Sequence, residues 1–418
     1  MSAVQYDPDG SGVDPSSTDA PTGDVNSGQD HLLVPSLRIR GFFGINELDI
    51  PRLGRVTLLV GKNSTGKSTV LDAVEVLASR GRQQILEEIL YRRSELYGVP
   101  DDRQGRGVRG GENEMRPAWR SIFYGRQPDF GSQIDIGPDN ATKDLRLELI
   151  ANMPGFLPSA SKIDVPEDFQ HIPYMGVKFG TFAEIWPVDP ASIWIDEEHV
   201  PNVGLPYRMR HRSANGGRSE AEPLRSVRVG PDVVEDDQST AMWDAIALEP
   251  AADLVVRVLG IPFGAAIDGI AAIEGFAYSP HQSTRSRRRL FASHRGANGR
   301  VPLRSLGDGV LRFFQAAAGM CVSRGGILLV DEVENGIHHG VLQDYWRMVF
   351  GLARDYGVQV FATTHSWDCV RYFATAAIED NDSEGILHRM EQHDDRHRVV
   401  EYTEEDLEVV ARHRIEVR

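Results

Sequence analysis

The sequence predicts an α/β fold whose glycine-rich loop and partner strands are far apart along the chain. Three observations predict it. An apolar strand, Val56–Val60, runs into the glycine-rich loop Gly61-Lys62-Asn63-Ser64-Thr65-Gly66-Lys67-Ser68, and a helix-forming stretch over 67–78 leaves it. A second apolar strand, Ile327–Val330, ends in the carboxylate pair Asp331-Glu332. Strand 326–330, amphipathic helix 342–353 and strand 358–362 have the spacing of a parallel β/α unit.

Taken in order, residues 1–34 are rich in Asp, Gly, Pro and Ser and read as a disordered leader. Residues 37–50 alternate well enough for a strand or hairpin, and 83–93 have a helical pattern. The Gly-, Arg- and Asp-rich stretch 97–117 reads as a mobile loop. A short helix end at 121–124 precedes two strands, 133–136 and 145–150. Signals are weak over 150–235. Residues 243–259 read as helical, 261–273 continue the apolar segment, and 310–322 form a helix. There is no internal repeat and no heptad run long enough for an extended coiled coil.

Composition narrows the class. Among 418 residues, 41% are hydrophobic and 25% charged, as in globular proteins with a substantial core. No run of apolar residues is long enough to span a bilayer and no secretory signal opens the chain. Cys321 and Cys369 both sit in apolar segments and read as reduced core residues. A cytoplasmic protein without a membrane partner is therefore expected. The net charge of −16 argues against a general coat of positive charge for nucleic acid.

The loop fits the pattern Gly-x4-Gly-Lys-Ser with a strand before it and a helix after it, the context in which that pattern binds phosphate. Its glycines let backbone N–H groups turn inward, and the helix N-terminus adds its positive end. Gly61 through Thr69 are therefore the candidate nucleotide-binding residues, with Lys67 on the β- and γ-phosphates and Ser68 on Mg²⁺. Asp331, at the end of its strand, is the second candidate Mg²⁺ residue, and Glu332 the general base that polarises the attacking water. His365, after the strand 358–362, is a candidate for bonding the γ-phosphate and that water. Ser305-Leu306-Gly307-Asp308-Gly309 is an ordinary turn taken alone, and acquires meaning from its place before a helix and before Asp331. Ser305, Gly307 and Gly309 are candidates to contact the γ-phosphate on a second copy of the chain. ATP is the expected nucleotide, since no Asn-Lys-x-Asp segment is present to read guanine.

Those segments resemble a known family. Residues 37–42, 59–71, 302–309, 327–338, 362–366 and the closing 415–418 are similar to the ABC-type ATPases of the SMC/RecF/OLD group, and most of all to stand-alone OLD-like (AAA15/AAA21) ATPases of bacterial and archaeal anti-phage defence loci. The resemblance is firm over 36–80 and 295–418 and loose between. It implies a split ABC-type P-loop ATPase core, 35–95 with 296–418, and an inserted β/α subdomain over 96–295. It further implies a Walker A loop at 61–68, a signature at 305–309, a Walker B segment at 327–332, a switch histidine at 365 and a nucleotide-sandwiched homodimer or higher homo-oligomer. Gln127, with Gln133 nearby, is the candidate Q-loop residue. OLD nucleases carry a TOPRIM domain after the core, for which the stretch beyond His365 is too short. Nuclease or other effector chemistry is thus expected from a separate chain, and Glu379-Asp380-Asn381-Asp382 reads as a solvated turn.

One segment leaves a nucleic-acid alternative open. Residues 275–307 hold seven Arg (285, 287, 288, 289, 295, 300 and 304) and no acid. They read either as contacts to DNA phosphates, in a RecF-like repair ATPase, or as a solvated hairpin or grip for an acidic partner. A third reading is an ATP-gated scaffold with little turnover.

Overall fold

The computed structural model describes residues 32–99, 114–138, 144–150, 173–180, 182–193, 222–232, 237–260, 267–276, 286–294, 299–380, 385–394, 396–402, 406, 407 and 409. Of the leader expected over 1–34, residues 1–31 lie outside the described residues, and 32–34 are part of the fold. The buried Gln359 carboxamide accepts from Val34 N–H (2.9 Å) and donates to Val34 O (2.8 Å) and Gly54 O (3.1 Å).

Two sheets sandwich one helix. The first contains β1 (Leu37–Phe42), β2 (Ile45–Ile50), β6 (Gln133–Gly137), β7 (Leu145–Ile150), β8 (Tyr174–Phe179) and β9 (Phe182–Pro187), ordered β2-β1-β6-β7-β8-β9 and antiparallel throughout. The second contains β3 (Val56–Val60), β10 (Ser226–Val229), β14 (Ile327–Val330), β15 (Gln359–Thr364), β16 (Gly385–His393) and β17 (Arg396–Tyr402), ordered β10-β14-β15-β3-β16-β17. Its first five strands are parallel, and β17 returns antiparallel to β16.

Alternation along the parallel strands makes the layers. Leu58, Val60, Leu328 and Val330 join one apolar cluster, while Leu59, Ile327 and Leu329 join the other. Side chains of successive strand residues point to opposite faces, so each strand feeds both layers and reads as a continuous apolar run. On one face pack α3 (Asp237–Ile246), α4 (Pro250–Gly260), α5 (Asp308–Val322), α6 (Leu342–Tyr356) and α7 (Trp367–Glu379). On the other, α1 (Lys67–Ala78) is held between the two sheets and is buried at every position except Ser68. α2 (Gln83–Arg92) follows it.

Three expectations are corrected here. The loop expected over 97–117 is flanked by a ladder, β4 (Leu96–Val99) against β5 (Glu114–Pro117). Residues 100–113 lie outside the described residues. The helix expected over 243–259 is two helices broken before Pro250, since proline cannot continue a preceding helix. The apolar stretch after it is a strand, β11 (Ile267–Phe276), paired with β12 (Ser286–His294), which in turn pairs with β13 (Arg300–Pro302). The segment 96–295 also supplies strands to both large sheets. Its strands β6–β9 extend the sheet begun by β1 and β2, and β10 edges the parallel sheet, because the backbone groups of β1 and β14 need those ladders.

Candidate functional site

The strand order β14-β15-β3 sets the carboxyl ends of three strands side by side, where ligands bind in open α/β sheets. Asp331 follows β14, His365 follows β15 and Gly61 follows β3. Asp331, His365 and the loop that follows Gly61 border a cleft of about 900 Å³ whose lining includes Ser64, Lys67, Ser68, Asp331, Glu332 and His365.

The loop is tightly wound. Gly61 has φ +146°, and a Cβ there would lie 2.5 Å from Met390 O, so this position is closed to any side chain. Gly66 caps α1 with φ +91°. Lys67 Nζ donates to Gly61 O and Lys62 O, each at 2.8 Å, and lies 3.4 Å from His365 Nδ1. Burial lowers the Lys67 ammonium to about 8, against the opposing pull of Asp331, Glu332 and Glu334. Thr65 Oγ1 donates to Lys62 O (2.9 Å) and serves the loop's own geometry. Asn63, Ser64, Gly66, Lys67, Ser68 and Thr69 line the cleft.

Asp331 is only 4% exposed and saturated with donors. Its Oδ1 accepts from Ser68 Oγ (3.1 Å) and Thr363 Oγ1 (2.6 Å), and its Oδ2 from Arg228 Nη2 (2.9 Å). Ser68 Oγ and Asp331 Oδ1 are adjacent hard oxygen donors, the set that suits Mg²⁺. Glu332 has φ +48°, a left-handed backbone that costs a non-glycine residue free energy. Two main-chain contacts impose it and a third holds the side chain. Glu332 N–H donates to Thr363 Oγ1 (2.9 Å), Glu332 O accepts from Arg312 Nη2 (2.8 Å), and its Oε2 accepts from Asn335 Nδ2 (2.7 Å). The carboxylate thereby stays at the cleft, 3.7 Å from His365 Nε2. Glu334 has a structural role: it accepts from Thr364 Oγ1 (2.6 Å) and His365 N–H (2.7 Å), fixing the histidine backbone.

Two arginines escaped the sequence reading. Arg312 on α5 is fully buried and also donates to Asp331 O and Gly230 O, each at 2.5 Å, which ties α5 to the acidic loop. Burial lowers its guanidinium from its usual range. Arg228 on β10 bridges Asp331 to Asp72 (2.9 Å) and Glu75 (3.5 Å) of α1. Arg92 and Arg93 pair with the same two acids (2.6 Å to Glu75, 2.5 Å to Asp72). Burial pushes the Glu75 carboxyl up, with Arg92 and Arg228 pulling the other way. The available signal was a charge inside an apolar strand or helix, Val227-Arg228-Val229 and Leu311-Arg312-Phe313. Such a charge folds inward only when paired.

The remaining candidates fall elsewhere. Ser305 and Gly307 are exposed ahead of α5 and Gly309 is buried within its first turn; none lines the cleft of its own chain. Gln127 and Gln133 are exposed and do not line it either, so the Q-loop assignment finds no support. Tyr124, Gly125 and Arg126 occupy that wall, because the turn after Phe123 carries 124–126 inward. In the arginine-rich segment, Arg285 and Arg295 lie outside the described residues. Arg288 pairs with Asp244, and Arg304 lies 3.9 Å from Asp308, so part of that charge is already compensated. Glu379 pairs with Arg347 (2.7 Å) and Asp380 with Arg354 (2.9 Å). Asn381 and Asp382 lie outside the described residues, as do 415–418. Among the described residues, no helix is long and apolar enough to cross a membrane, and no cluster of three or more His, Cys, Asp or Glu is placed to hold a metal.

Residues 202–370 match the family described as "AAA domain, putative AbiEii toxin, Type IV TA system". That span includes the Asp331-Glu332 and His365 segments and begins after the phosphate loop. No curated protein matches the chain. Similar solved structures include the SmcHead bound to the C-winged helix domain of ScpA, at 12% identity over 89% of this chain and 98% of that one, TM-score 0.44. The SMC head domain from Thermotoga maritima shares 13% identity over 88% and 98%, TM-score 0.38. The Smc head domain with an extended coiled coil, bound to the C-terminal domain of ScpA derived from Pyrococcus furiosus, shares 10% over 91% and 99%, TM-score 0.44. The chain has an α/β fold in which a glycine-rich loop joins β3 to α1, and over 202–370 it is similar to that AAA domain.

Proposed function

We propose that the protein is a Mg²⁺-dependent ABC-type ATPase that hydrolyses ATP between two copies of itself. In this reading it is the sensor and scaffold of an anti-phage defence system that controls a separate effector chain, of nuclease or TOPRIM type. The observation that carries the ATPase reading is the meeting of Lys67, Ser68, Asp331, Glu332 and His365 at one cleft from three distant segments.

Lys67 releases its loop carbonyls to take the β- and γ-phosphates, and Ser68 with Asp331 holds Mg²⁺, which when bound supplies charge that neutralises the triphosphate. Glu332 accepts the proton of the attacking water, and His365, between Glu332 and Lys67, orients that water. Ser305 and Gly307, exposed at the N-terminus of α5, serve the cleft of the second copy. Arg312 then links that helix to the backbone of Glu332. The matched family's description, a toxin in a toxin–antitoxin system, favours a role beside a partner gene product.

Lys67 gives this reading a pH signature. In the free protein its ammonium titrates near 8, below its ordinary value, and a bound triphosphate favours the charged form. Binding therefore takes up a proton above pH 8. ATP affinity is expected to be flat at lower pH and to fall by up to about tenfold per unit above pH 8. Calorimetry in buffers of different ionisation enthalpy measures the uptake; no proton uptake at pH 9 would place Lys67 away from the phosphates.

The separate-effector reading is tested on the purified chain with Mg²⁺ or Mn²⁺. ATP hydrolysis without plasmid cleavage is expected. Cleavage that persists through purification and is lost in Glu379→Ala/Asp380→Ala would overturn it.

A further inference from the structure

One end of the cleft has no role in the chemistry above. In the nucleotide-binding reading, Lys67, Ser68, Asp331, Glu332 and His365, which line one part of the cleft, take the terminal phosphate and metal. In a phosphate loop the α-phosphate sits at the helix N-terminus, so the nucleoside must extend past Gly66 and Thr69. The wall there comes from the β1–β2 turn, Phe43 and Gly44, and from Gln392 and His397 of the β16–β17 hairpin.

A Cβ on Gly66 would lie 3.4 Å from Ile45 Cδ1 and 3.5 Å from His397 Cδ2, so the imidazole stands in contact range of the helix cap. Gln392 and His397 are direct partners across the ladder, and their side chains share one face of the hairpin. His397 Nδ1 is buried without a hydrogen-bond partner. Burial lowers the imidazole from its ordinary value, so at neutral pH the ring offers one N–H, one acceptor nitrogen and a π face. A neutral imidazole beside a carboxamide has little attraction for phosphate, but it complements the donor and acceptor edge of a heterocyclic base. The chain has no Asn-Lys-x-Asp segment to do this work.

We propose that Gln392 and His397 form the nucleobase-recognition edge of the cleft, taking the adenine of ATP. The inference rests on the nucleotide-binding reading, and its test separates the two. The full chain is titrated calorimetrically with ATP, GTP and inorganic tripolyphosphate, each with Mg²⁺, as wild type, Gln392→Ala and His397→Ala. Wild type is expected to prefer ATP. Each variant is expected to lose about tenfold or more in ATP affinity, with the ATP-to-GTP ratio falling toward one and tripolyphosphate binding unchanged. Gln392 is exposed, so Gln392→Ala carries the test should His397→Ala fail to fold. ATP and tripolyphosphate weakening together would overturn the proposal, showing that the hairpin only shapes the loop through Met390. An unchanged ATP-to-GTP ratio, or a wild type without preference, would overturn it as well. A wild type that binds none of the three defeats the nucleotide reading itself, and this inference with it.

Discussion

Glu332→Gln is expected to bind ATP about as well as wild type and to hydrolyse it about 10²- to 10⁴-fold more slowly, the usual cost of removing a general base. The substitution keeps side-chain length and one oxygen for the Asn335 amide, which holds the carboxylate at 2.7 Å. The contacts that impose the left-handed backbone, from Thr363 and Arg312, are to main-chain atoms and survive the change. What is lost is the ability to accept a proton at the point nearest His365. Single-turnover hydrolysis with bound-nucleotide quantitation separates the two effects, and the variant should accumulate an ATP-bound dimer on gel filtration. Wild-type turnover would assign the base elsewhere.

Mixing two inactive variants is expected to restore activity. Lys67→Ala removes the phosphate contact of its own cleft, while Ser305→Arg spoils the surface offered to a partner's cleft. A heterodimer of the two has one site broken twice and one intact. At equal mixing half the dimers are heterodimers with one working site of two, so about a quarter of wild-type activity should return, as two-fold symmetry dictates. The exposure of Ser305 and its absence from the cleft of its own chain motivate the experiment. No recovery with heterodimers verified would mean a self-contained site.

The sequence by itself determined the parts whose chemistry is local. A glycine-rich loop between a strand and a helix has one common use, and its residue order alone places Lys67 and Ser68 at the start of α1. Buried parallel strands read as unbroken apolar runs, which is why β3, β14 and β15 and the carboxylate pair after β14 were legible. The break at Pro250 was equally local and was missed because apolar periodicity continues across it.

Only the tertiary structure decided what depends on strand order and on buried charge. That β15 lies between β14 and β3, and so brings His365 to both Lys67 and Glu332, follows from long-range hydrogen bonding and has no local signal. Likewise, residues after His365 read as a stretch too short for a domain, yet β16 and β17 complete the core sheet and press Met390 and His397 against the loop. Arg228 and Arg312 show the physical reason most plainly. A charged side chain is favoured in the interior only when its partners are already there, and those partners come from segments more than a hundred residues away in the case of Asp72 and Glu75. The chain order of residues specifies the chemistry each carries, while the packing of α1 between two sheets specifies which of them meet.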